Sequence, residues 1–426
     1  MTRIRWGFVV LAVALLGAAC SNATSRASNG GSGAPGVTSK SITVGSIANV
    51  TGPLSSDFAP LVNGVEAYFS MVNADGGVDG RRLDLAYQTD DQGSSTTDLT
   101  LAQKLVEQDH VFAVVGVGTP FFGGASYLAH QGVPVFGYMV SSDWSDGPTL
   151  FGVNGSFLAY STNSMSDAYV ARQLHATSIA VIAYSVPQSA AACQAAASGM
   201  RVLGLNVSFE DLNFAFGSDP TADVLQMEAH GVDLVLTCLD ITGNVAFART
   251  ISQYGLTAHQ LWLNGYDRST LQQYGGLMNG VILSLQNVPF EAVSAFPGKY
   301  AGMETYLREM NRYQPGYAYN EIALDGWINA AQFVAGLRAV GRDLTQAKLV
   351  AAINKTSDFT ADGLIPPVDW TRAHTSAGLG PFCSTYVEAV HGRFVPEFVQ
   401  PGDQVFACFA QASDTPVVPL PGTPGA

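Results

Sequence analysis

The chain has 426 residues, with 20 Lys and Arg against 34 Asp and Glu, and a formal net charge of −14. That balance excludes nucleic acid as a partner, because phosphate contacts need basic side chains and no basic run stands out. The acidic surface serves the solubility of an exported protein and says little about a ligand.

The amino terminus reads as a targeting segment, residues 1–20. Arg3 and Arg5 precede an apolar run from Trp6 to Ala19, shorter than the roughly 20 residues a membrane span needs. The run closes on Leu16-Gly17-Ala18-Ala19-Cys20, which resembles a bacterial lipobox with Gly17 standing where an aliphatic residue is usual. Cys20 is then expected to be the lipidated first residue of the mature chain. Ordinary cleavage after Ala19 is the alternative, and either route exports the protein. Residues 21–40 are rich in Ser, Gly, Asn and Ala and bury too little to offset their ordering entropy. They predict a flexible tether spanning about 25 Å on average. Thr415–Ala426 carries four prolines and two glycines, and residues 413–426 are expected to form a loose tail.

The body of roughly 370 residues between these ends is too large for one ordinary core and suits two domains. It alternates strand and helix. Ile42–Ile47 predicts a strand, Val62, Val65, Phe69 and Val72 a helix stopped by Asp75-Gly76-Gly77, and Leu83–Tyr87 a second strand. Leu99, Ala102, Leu105 and Val106 mark a helix before the buried strand Val111–Val115. A helix over 124–130 leads to strand Val133–Phe136. A second series follows: helices over 165–174, 190–203, 221–230 and 245–254, with strands at 179–183, 207–209, 233–237 and 260–263. The long helix over 318–340 carries Ile322, Ala323, Trp327, Ala330, Ala331 and Val334 on one apolar side. Such alternation predicts an α/β protein of two doubly wound parallel-sheet lobes with a ligand cleft between them, the ligand loops lying at strand carboxyl ends.

With Cys20 assigned to lipid, four cysteines remain in an oxidising setting. The pairs Cys193–Cys238 and Cys383–Cys408 are favoured because each falls within one proposed unit. A metal site competes, but no CxxC pair and no closely spaced histidine pair supports one. No metal or cofactor is expected.

Several stretches together resemble the branched-chain amino-acid-binding family of type I periplasmic binding proteins. They are Val44-Gly45, Thr51-Gly52-Pro53-Leu54, Asn63-Gly64-Val65-Glu66-Ala67, Val72 to Leu83, Thr89-Asp90-Asp91, Val114-Val115-Gly116 and Gln131 to Val135. The resemblance covers roughly residues 41 to 400, and Asn-Ala-x-Gly-Gly-Val-x-Gly-Arg is its most specific part, a helix stop and turn without chemistry. It implies a lipoprotein that captures a small polar solute, an amino acid or a related compound, and delivers it to an ABC import permease. It implies two discontinuous lobes, 41–152 with 288–368 and 153–287 with 369–412. The crossings are placed near Gly152-Val153, 283–287 and 366–370.

The resemblance also implies site residues. Hydroxyls and N–H groups of the loops 117–121 and 138–142 would hold a solute carboxylate, pointing to Gly118, Thr119, Ser141 and Ser142; capping is their structural alternative. Asp57 or Phe58 stands where many members place an aromatic ring, and Phe58 is the candidate. In the second lobe the expected aromatic residues align near Gln188 and Asp240. The ammonium-binding glutamate aligns with Asn264; Asp240 and Asp267 are the candidate substitutes, with helix capping as their structural alternative. A Leu, Ile or Val ligand is therefore not supported. A monomer anchored to the bacterial membrane through Cys20 is expected. An enzyme is disfavoured, since Phe121 stands where a Gly116-x-Gly118 dinucleotide fingerprint needs glycine. A ligand-sensing receptor on the same scaffold is the other alternative.

Overall fold

The computed structural model describes residues 33–52, 54–157, 164–375 and 382–409; Cys20, most of the expected tether and the tail beyond 409 lie outside them. The first lobe runs β1 (Ser41–Ala48), α1 (Leu61–Ala74), β2 (Arg82–Asp90), α2 (Ser95–Glu107), β3 (Ala113–Val117), α3 (Ala125–His130), β4 (Val135–Gly137) and β5 (Leu150–Gly152). Its five strands are all parallel, in the order β2-β1-β3-β4-β5. Continuous apolar runs such as Ala113–Val117 are buried throughout, as a sheet covered on both faces requires. The turn after α1 needs its glycines: Gly77 has φ +77°, and a Cβ there would lie 2.0 Å from the Arg81 carbonyl oxygen.

The second lobe runs α4 (Met165–Gln173), β6 (Ile179–Tyr184), α5 (Pro187–Val202), β7 (Val207–Phe214), α6 (Thr221–Ala229), β8 (Leu234–Cys238), α7 (Ile241–Tyr254), β9 (His259–Trp262), α8 (Arg268–Met278) and β10 (Val281–Leu285). These strands repeat the first lobe's parallel order, β7-β6-β8-β9-β10. α5 starts three residues before the expected 190 because Pro187 fits the first helical turn. α9 (Ala292–Ala295), α10 (Ala301–Tyr313), α11 (Glu321–Val340), α12 (Gln346–Ile353) and α13 (Trp370–Ala373) follow. α11 begins at Glu321 rather than 318, where the Asn320 side chain accepts from the Ala323 N–H.

The chain finishes with β11 (Phe382–Val390), β12 (Arg393–Glu397) and β13 (Ala407–Phe409). Here the expected all-parallel lobe is modified, because β11 is antiparallel to β10, β12 and β13. The β11–β12 connection is the two-residue turn His391-Gly392, both at positive φ, which only an antiparallel pair can use. The third passage also comes later than 366–370. Trp370 packs edge-on against Phe151 at 5.0 Å, and His374 Nε2 lies 2.8 Å from the Leu150 carbonyl oxygen, so α13 stays with the first lobe.

Disulfides join Cys193 to Cys238, tying α5 to β8, and Cys383 to Cys408, tying β11 to β13. Sequence separations of 45 and 25 residues make each worth about 3–4 kcal/mol in the chain-entropy description. The passage region is packed by rings that run from lobe to lobe. Tyr266 stacks on Phe290 at 4.7 Å, Phe290 on Tyr306 at 5.9 Å, and Tyr306 meets Trp327 at 5.4 Å.

Candidate functional site

In each sheet the strand order reverses beside the first strand of its lobe, between β1 and β3 and between β6 and β8. Loops leaving the carboxyl ends of such a strand pair diverge to opposite sides and leave a crevice. The crevice of the first lobe is formed by the loops after β1 and β3, which carry Asp57 and Thr119. That of the second follows β6 and β8 and carries Gln188 and Asp240.

The two crevices close on each other. Gln188 Nε2 donates to the Pro120 carbonyl oxygen at 2.9 Å, and Asn264 Nδ2 donates to Asp57 Oδ1. Between the passages after β5 and β10, Asn154 Nδ2 donates to Gln286 Oε1 at 2.6 Å. Asp57 is 3% exposed. Burial first, then the Asp240 carboxylate opposite, push its carboxyl up to about 6, against donors from Ser56, Asn264 and the Ile241 N–H. Asp240 caps α7, accepting from the Gly243 N–H at 2.9 Å and the Thr242 N–H at 3.3 Å, and also takes the Tyr184 hydroxyl proton donor. Burial and that carboxylate raise the Tyr184 phenol.

The candidate residues separate into those that face the cleft and those engaged within one lobe. Gln188 and Asn264 hydrogen-bond to the first lobe's loops, while Asp240 caps α7 and reaches Asp57 only through its charge. Asp267 is a cap, accepting from the Thr270 N–H at 2.6 Å, with no contact to Asp57 or Asp240. Phe58 is buried with its ring 6.1 Å from Tyr138, and Gly118 extends the β1–β3 pairing through a bridge to Ala48. Thr119 is buried and its hydroxyl donates to Asp91 Oδ2; the Ser141 hydroxyl donates to Asp143 Oδ2 at 2.8 Å. Neither caps a helix through its side chain, and Ser142 is exposed.

Three residues with a part in the cleft were not singled out from the sequence. Tyr184, the last residue of β6, supplies a ring where an aromatic residue was sought near Gln188, and Phe216 stacks on it at 3.8 Å. Asn244, fully buried in α7, donates from Nδ2 to the Asn264 carbonyl oxygen at 2.8 Å. Asp91 is fully buried behind Thr119, and burial raises its carboxyl. Their signal is positional: a strand's last residue, a helix's first turn, and the residue after β2. Among the described residues, no group of three or more His, Cys, Asp or Glu is placed to hold a metal ion.

Comparison with solved structures finds the same fold at low identity. The branched-chain amino acid transporter substrate binding protein from Streptococcus pneumoniae, solved with isoleucine, superposes with a TM-score of 0.72 at 15% identity, covering 85% of this chain and 100% of that one. A fatty acid ABC transporter substrate-binding protein from Thermomonospora curvata gives 0.69 at 17% identity, covering 85% and 93%. A solute binding protein from R. palustris in complex with benzoate gives 0.69 at 14% identity, covering 84% and 95%. No curated protein sequence matches at a significant level. The family model for periplasmic binding proteins matches residues 41–382, four-fifths of the chain and both lobes. The chain belongs to the periplasmic binding protein family.

Proposed function

We propose that the chain captures a small polar solute between its lobes, outside the cytoplasm, and presents the closed form to an ABC import permease, held at the membrane by a lipid on Cys20. The observation that carries this is the pair of contacts joining strand-end loops of opposite lobes, Asn264 after β9 to Asp57 and Gln188 after β6 to Pro120. A solute seated there touches both lobes and so favours the closed form over the open one, which is the condition for a ligand to drive closure. The solved relatives are described as binding isoleucine, benzoate or fatty acid, so the scaffold sets the place of binding and the loops set the solute.

Two outcomes test this. A matching solute at about 100 times its dissociation constant is expected to stabilise the protein by about 2.7 kcal/mol and to reduce its radius of gyration in small-angle scattering. A broad panel of amino acids, amines, organic acids and sugars that leaves both quantities unchanged contradicts solute capture. Cys20→Ala is expected to move the protein from the membrane to the soluble fraction, since no helix among the described residues is long and apolar enough to cross a membrane. Continued membrane association of that variant would refute the lipid anchor.

A further inference from the structure

In the closed cleft Asn264 of the second lobe donates to Asp57 of the first, and the Asp240 carboxylate acts on Asp57 through its charge. The groups acting on Asp57 are Asp240, the Ser56 hydroxyl, the Asn264 amide and the Ile241 N–H. None of them is a cation. Of the basic side chains in the second lobe and the passage region, Arg201 pairs with Glu210 and Arg268 with Glu291. Two carboxylates drawn from water toward each other resist closure unless something positive enters with them.

Two hydroxyls of the first-lobe loops are already committed as donors. Thr119 and Ser141 each spend their one hydroxyl proton on a carboxylate of their own lobe, Asp91 and Asp143. What they keep is lone pairs. A solute carboxylate at these two hydroxyls would therefore meet lone pairs backed by further negative charge. Asn244 repeats the pattern independently. Its Nδ2 donates to the carbonyl oxygens of Leu239 at 3.3 Å and Asn264 at 2.8 Å, while its fully buried Oδ1 has no donor. This is an unmet acceptor in the wall behind the Asn264–Asp57 contact, where a buried group normally finds a partner. Rings adjoin both carboxylates: Tyr184, on which Phe216 stacks, donates to Asp240, and Phe58, near Tyr138, follows Asp57 in the chain. Aromatic faces attract cations and cover apolar carbon.

We propose that the solute is a protonated amine with a compact apolar body and no carboxylate, its ammonium seated between Asp57 and Asp240. This rests on the solute-capture function above and names its substrate class. The ammonium supplies donors to the Asp57 and Asp240 carboxylates and neutralises the charge that opposes closure. Asp57 and Asp240 lie on different lobes, so only a closed protein gives the amine both carboxylates.

The test is titration calorimetry on the full chain in detergent. Isoamylamine, phenethylamine and putrescine are compared with leucine, phenylalanine and benzoate, which offer similar bodies with a carboxylate. An amine is expected to bind, and leucine and phenylalanine to bind at least 10-fold more weakly than the amines of matching body. Asp57→Asn and Asp240→Asn are each expected to weaken the amine about 10- to 100-fold, as loss of a charge-assisted hydrogen bond does. Asn keeps the shape at both positions and still caps α7 at 240, so both variants are expected to fold. Asp57→Asn also removes the repulsion and is expected to compact the unliganded protein in scattering at pH 7. Tight binding of leucine, phenylalanine or benzoate overturns the amine assignment and leaves solute capture standing. Amine binding that Asp57→Asn does not weaken overturns the proposed seat, and silence of all three amines overturns the proposal. Only failure of every solute, together with unchanged scattering, counts against solute capture itself.

Discussion

Gly326→Val is expected to destabilise the first lobe by at least about 4 kcal/mol, read as a fall in the urea midpoint or as loss of soluble protein. Gly64 of α1 and Gly326 of α11 sit where the two helices cross. A Cβ on Gly64 would lie 1.8 Å from the Ala323 carbonyl oxygen, and one on Gly326 would lie 1.8 Å from the Leu61 carbonyl oxygen. Both obstacles are backbone, so no side-chain rotation relieves them and the helices must separate. Overpacking in a core that can adjust costs about 1–3 kcal/mol. Here separation would also pull Tyr68 from Trp327, whose rings meet edge-on at 4.8 Å. Gly64→Val is expected to behave alike. Gly276→Ala is the contrast: it lies in α8 with nothing within 4 Å of a built Cβ. That change is expected to be neutral or to stabilise by up to about 1 kcal/mol. A Gly326→Val protein within about 1 kcal/mol of the parent would show that the helices can part without loss.

Stability to urea is expected to rise by several kcal/mol as pH falls from 8 to 5, the reverse of a protein whose carboxylates are paired with bases. Asp98 dominates. It is fully buried and receives the Gly124 N–H at 2.7 Å, while its second oxygen has no donor. Burial, with Asp91 and Asp143 adding repulsion, holds its carboxyl at about 8; burial holds that of Asp167 at about 6. A carboxyl whose folded value exceeds its unfolded value of 3.8 binds the proton more tightly when folded. Its stabilisation is complete below about 3.8 and is lost as pH rises through the folded value. Between pH 5 and 8 Asp98 alone accounts for about 4 kcal/mol, at 1.36 kcal/mol per unit. Asp57 follows the same sign, but its share is relieved by opening the lobes and reads out as closure at lower pH rather than as resistance to unfolding. Asp98→Asn is expected to flatten the profile between pH 6 and 8, with the variant more stable than the parent at pH 8. A variant that keeps the full slope would remove Asp98 as its source.

Much of the fold was legible because its signals are local. Asp75-Gly76-Gly77 ends α1, and the apolar runs read at 111–115 and 179–183 fall on the buried strands β3 and β6. The β11–β12 hairpin was overlooked. Its turn is His-Gly, and its strands mix apolar with polar residues, so neither a two-residue turn signature nor strict alternation stood out. The late third passage was missed for a related reason: Trp370 and His374 belong to the first lobe by packing on Phe151, a contact across more than two hundred residues of chain.

By itself the sequence determined the class of fold, the loops at strand ends where a solute would sit, and the acidic character of the chain, because periodicity, turns and charge are written in neighbouring residues. Only the tertiary structure decided which side chains meet. Asn264 reaches Asp57 across 207 positions, and Gln188 reaches Pro120 across 68. The Thr119 and Ser141 hydroxyls donate to Asp91 and Asp143. A hydroxyl's direction depends on which acceptor the folded chain brings within about 3 Å, and no spacing in the sequence records that distance.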